Sequence, residues 1–152
     1  MEELRVPTTQ IEAELQLDDG RVLRGTIFVP ASSSHLGAKR PDEWINEGGP
    51  FFPFRIDGAE TTELFSKNTS LRLTVPAALL HEEDQAADVE HRRLLVETAG
   101  GSFEGVVRLD MPSHQRRVLD YLNQPQPFLC LMAEDRAHLI QKRLVKRTVE
   151  VD

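Results

Sequence analysis

The sequence predicts a mainly-β protein made of two small barrels in tandem, each carrying a short helix between its second and third strands. Three observations predict it. Apolar residues alternate with polar ones over short runs, the signature of half-buried strands. Glycine-bearing turns separate those runs. One stretch is also written twice, as WINEGGPFFPF at 44–54 and YLNQPQPFLCL at 121–131. Both read aromatic, branched aliphatic, Asn, a Gly- or Pro-bearing bend, Pro, Phe, then a short apolar strand.

The first repeat spans 8–76. It opens with IEAELQL (11–17), apolar at Ile11, Ala13, Leu15 and Leu17. Asp19-Gly20 follows, the favoured dipeptide of a type I′ hairpin, and RVLRGTIFV (21–29) returns. Gly25 inside that strand predicts a bulge or sharp bend. PASSSHLGAKR (30–40) reads as a loop. PDEWINEGG has Pro and two acids at a helix start and Gly48-Gly49 at its stop, so one or two helical turns are expected. PFFPFRID (50–57) is a strand, and TELFSKNTSLRLTV (62–75) holds one or two more.

The second repeat, 92–152, keeps the order. LLVET (94–98) and SFEGVVRLD (102–110) form a hairpin around Gly100-Gly101, with Gly105 matching Gly25. RRVLDYLN (116–123) is the short helix, PFLCLMAE (127–134) the next strand, and AHLIQKRLVKRTVEV (137–151) the closing pair. The offset between copies is 80 at the glycine, 77 through the Asn-to-Phe stretch and 75 at Lys67/Lys142. Shared elements in one order over about 60 residues point to duplication. The linker, 77–91, holds five acids and no Lys or Arg, and is expected to be helical, an ordered acidic arm or disordered.

Five short strands with a leading hairpin and a tight final pair resemble the small barrels of the Sm-like and SH3-like type. LDDGRVLRGTI looks like the first hairpin of the Sm fold, and HLIQKRLVKRTVEV like its last two strands. The resemblance covers nearly the whole chain at the level of architecture. The base-binding Asp-x-x-x-Asn signature of the third Sm strand has no counterpart in PFFPFRID or PFLCLMAE. A lone copy of about 60 residues has a marginal core. Two copies packed together, or paired edge to edge, would hide strand edges that invite aggregation. Further association into an oligomer follows the same logic.

The 152 residues are 39% hydrophobic and 28% charged, as in a folded domain with a solvated surface. No apolar run nears the roughly 20 residues that span a bilayer, and MEELRVPTTQ does not read as a signal peptide. A single cysteine, Cys130, excludes an internal disulfide, so a reducing cytoplasm is the expected location. The net charge of −7 weighs against nucleic acid as the main partner, although 92–152 has a basic excess.

Six candidate sites follow. Lys142, Arg143, Lys146 and Arg147 would face RNA in an Sm-like reading and could contact phosphates. A solvated, charge-protected strand edge is the preferred account, since no stacking aromatic lies beside them. Trp44-Ile45 and Tyr121-Leu122 either cap the barrels or, if exposed, anchor a partner protein. His81, Asp84, Asp88 and His91 share one face of a helical linker, but span too far for one ion to reach both histidines. Ser32 to Ser34 beside His35 lack a nucleophile elbow, and Cys130 sits in an apolar strand that favours an inert thiol. Gly100, Gly101 and Gly105 read as turn glycines, not a phosphate loop. The expectation is a non-enzymatic protein-interaction or assembly module without cofactor or metal. The alternative is an Sm-like RNA-binding protein.

Overall fold

A computed structural model of the chain describes residues 8–30, 39–80, 89–111 and 117–151. It is mainly β. Strands β1 (Thr8–Leu17), β2 (Val22–Pro30), β3 (Phe51–Ile56), β4 (Glu63–Ser66) and β5 (Ser70–Pro76) come first, with helix α1 (Pro41–Asn46) between β2 and β3. Strands β6 (Glu90–Thr98), β7 (Gly101–Leu109), β8 (Phe128–Ala133), β9 (Arg136–Gln141) and β10 (Val145–Glu150) follow, with α2 (Val118–Leu122) between β7 and β8. Helix α1 starts as its sequence demands: Pro41 sits at the first turn and Glu43 accepts from the Arg40 amide at 3.1 Å.

The expectation of two tandem barrels holds only as far as a mainly-β fold, while the two halves do pair edge to edge. All ten strands form one antiparallel sheet, ordered β10-β6-β7-β8-β9-β5-β1-β2-β3-β4, and it is not closed into a barrel. The reason lies in β5. Its first edge pairs with β1, and its second edge pairs with β9 of the other half instead of β4. Among the described residues β4 and β10 are therefore the two ends of the sheet.

The sheet bends around two cores. The first is built from β1, β2, β3, β5 and α1, with Phe128, Ala137 and Leu139 added from β8 and β9. The second gathers Leu94, Val96, Val107, Leu109, Tyr121 and Leu131 with their neighbours, all from the second half. Strand β9 serves both, because successive side chains point to opposite faces: Leu139 enters the first core and Ile140 the second. That explains why FLCLMA and AHLI are apolar on both faces.

Two sequence expectations change in detail. The Asp19-Gly20 turn is not type I′, which needs positive φ at both central residues. Asp18, Asp19 and Gly20 form a three-residue loop, only Gly20 having positive φ, and the Gly20 amide donates to Leu17 at 3.0 Å. The bulges do not fall at Gly25 and Gly105 either. They lie between Gln16 and Leu17 against β5, and between Val145 and Arg147 against β6. The glycines instead permit close crossings: a Cβ on Gly105 would meet the Met132 carbonyl oxygen at 2.5 Å, and one on Gly25 would overlap that of Arg55.

Of the linker, Ala77–Leu80 forms one 3-10 turn and Glu90 and His91 belong to β6, while 81–88 lie outside the described residues. No helix among the described residues is long and apolar enough to cross a membrane.

Candidate interaction surfaces

The aromatic-aliphatic pairs pack inward. Ile45 and Tyr121 are buried in the first and second cores, and Trp44 and Leu122 are half-buried against them. Trp44 meets Phe52 edge to face, with centroids 5.6 Å apart. The Tyr121 hydroxyl accepts from the Cys130 amide at 3.0 Å, and burial pushes its pKa up. What these four residues offer a partner is limited to parts of Trp44 and Leu122.

The basic strand is less open than its sequence implies. Lys142 donates to the Gln124 carbonyl at 2.9 Å, lies 5.9 Å from the centre of the Tyr121 ring, and has its pKa lowered by burial. Arg143 donates to the Asn68 carbonyl of the other half at 2.6 Å. Arg147 is paired with Glu97 at 2.6 Å. Lys146 is exposed.

Where the halves meet, polar groups interlock. The Gln141 amide forks to the carbonyls of Lys67, Asn68 and Ser70, at 2.9, 3.2 and 2.7 Å. Asn46 at the end of α1 accepts from the Phe128 amide at 2.8 Å and donates to its carbonyl at 3.3 Å, acting as a one-residue strand. On the other face Arg72 donates to Gln16, Glu14 and Thr74, and stacks 4.9 Å from the centre of the Phe103 ring. The Thr74 hydroxyl, which accepts from Arg72, also lies 2.7 Å from His138 Nδ1. Burial first, then the charges of Arg72 and Arg136, hold the His138 pKa down at about 4.

Among the described residues, a cleft of about 340 Å³ is lined by Glu14, Arg24, Asp57, Thr74 and Arg136 among others. Another, of about 410 Å³, lies where α1 approaches the second half and includes Arg40, Asp42, Arg108, Asp110, Tyr121 and Cys130. Burial pushes the Cys130 thiol up to about 12, away from the reactive thiolate. It also raises the Asp42 carboxyl, with Arg40 at 3.3 Å opposing it. Among the described residues, no three His, Cys, Asp or Glu side chains gather as a metal set. His81, Asp84, Asp88, Ser32 to Ser34 and His35 lie outside the described residues, and His91 is exposed on β6.

The feature that sequence reasoning missed is the β3–β4 end of the sheet. Phe51 and Leu64 are exposed there, and Leu119 is exposed on α2. The repeat offsets carried the signal, because the counterparts of Phe51 and Leu64, Phe128 and Leu139, are buried where the halves meet. No protein family, curated protein or solved structure matches this chain.

Proposed function

We propose that this chain is a non-enzymatic interaction module, made by duplication of one Sm-like unit and acting through protein contacts at the open ends of its sheet. The two halves support duplication in detail. Phe52 faces Phe65 as Leu129 faces Ile140, in one register. The Lys67 amide donates to Pro50 and the Lys142 amide to Pro127, both at 2.8 Å. Each half has its bulge at the same place against its own first strand. The observation that carries the interaction reading is the apolar pair Phe51 and Leu64 on a terminal strand pair whose outer edge meets no other strand among the described residues.

RNA binding along β10 is the second reading, favoured by the exposure of Arg143, Lys146 and Arg147. Filter binding of single-stranded RNA over a salt series separates the two. The interaction reading expects weak binding that charge reversal of Lys142, Arg143, Lys146 and Arg147 barely changes. Tight binding with a steep salt slope, lost on that reversal, would overturn it.

A further inference from the structure

The junction inside the chain is a template for a junction between chains. We infer that a second copy docks head to tail, its β3–β4 end against α2 and β10 of the first. The inference rests on the interaction-module reading and names its partner.

Core completion carries the argument. The first core receives Phe128, Ala137 and Leu139 from the other half, whereas among the described residues the second core is built from the second half alone. At the repeat offsets of 77 and 75, the counterparts of those donors are Phe51, Thr62 and Leu64. Phe128 is 3% exposed and Phe51 60%; Leu139 is fully buried and Leu64 72% exposed. The counterparts of those donors thus stand at the opposite end of the sheet from the second core, where another copy can use them.

Three further features match. Asn46, which clasps the Phe128 backbone, has its counterpart in Asn123, exposed at the end of α2. Leu119, 60% exposed on α2, would lie over the incoming β3 as α1 lies over β8. The β5·β9 register pairs Arg72 with Ile140, Leu73 with Leu139 and Thr74 with His138. Moved by 75 residues, it sets Arg147 opposite Phe65, Thr148 opposite Leu64 and Val149 opposite Glu63, and leaves Glu63 diagonal to Arg147. Three departures weaken the copy: Thr62 stands for Ala137, Thr148 for Leu73, and Ser66 where Gln141 makes its fork, so the junction between chains is the looser one. Because the two mating surfaces differ, the contact is heterologous and repeats from chain to chain.

Leu64→Cys and Thr148→Cys, each in a Cys130→Ser background, test the register. Paired cross-strand positions are close enough for a disulfide. The two variants are mixed with oxidised glutathione, and circular dichroism verifies that each is folded. A two-chain disulfide product is expected from the mixture and from neither variant alone. Linkage of Leu64→Cys to itself would show symmetric edge pairing and overturn the proposal. Preferential linkage to Glu150→Cys, a shifted register, would also overturn it while leaving the interaction module standing. No linkage, from chains that sediment as single copies, would overturn the second-copy partner; the module reading would then stand or fall with the RNA salt series.

Discussion

Gly25 and Gly105 mark where β2 and β7 cross their neighbouring strands at backbone contact. Gly105→Ala should lower stability in urea unfolding by about 1–3 kcal/mol or more, because a strand carbonyl has to move. Gly49→Ala, with open space around it, should be close to neutral. A value for Gly105→Ala as small as that for Gly49→Ala would contradict the crossing. His138 makes a second prediction. Its folded pKa of about 4 lies below the ordinary 6.5, so the unfolded chain binds the extra proton between those values. The neutral ring therefore contributes stability above pH 6.5, and that contribution is lost as pH falls towards 4. Discounted for the part of the ring that faces solvent, the effect is on the order of 1 kcal/mol. His138→Gln should flatten the stability profile between pH 6.5 and 4 relative to the parent chain; equal slopes would refute the neutral histidine. The positions of both glycines were legible in sequence, but the reason for them was not. A glycine within a strand marks a bulge or a close approach, and only the neighbouring strand decides which.

At the scale of elements, the same residue type does different work in the two halves. Asn46→Ala strips partners from the buried Phe128 backbone and should cost about 1–3 kcal/mol. Asn123→Ala, measured on the dilute single chain, should change stability by less than about 0.5 kcal/mol. Similar costs at both sites, measured by thermal unfolding at low concentration, would mean that Asn46 is not the clasp described. The hairpins and short helices were legible because turn glycines, Pro41 and the period-two alternation are local signals. The pairing of β5 with β9 was not. SLRLTVP alternates as a strand with one wet face would, yet Ser70, Arg72 and Thr74 are buried, and Arg72 and Thr74 bond to side chains more than 50 residues away. The basic strand misleads for a similar reason: Arg143 finds its acceptor, the Asn68 carbonyl, in the other half.

For the molecule as a whole, the two halves run through the same order of strands and short helix, while the shared first core makes them one structure. Three of the fourteen buried residues of that core come from the second half. Unfolding should accordingly be a single cooperative transition, with calorimetric and van't Hoff enthalpies in agreement; two separated transitions would contradict the shared core. Among the described residues, the same sharing leaves the second core without donors from the other half and leaves β4 and β10 as sheet ends, and the assembly reading depends on that asymmetry. Sedimentation velocity over a concentration series, comparing the parent chain with Leu64→Lys, measures it most directly. The parent should sediment as multiples of one chain and dissociate on dilution, while the variant stays single. A parent chain that is single at every concentration, or a variant that associates equally well, would contradict assembly through this edge.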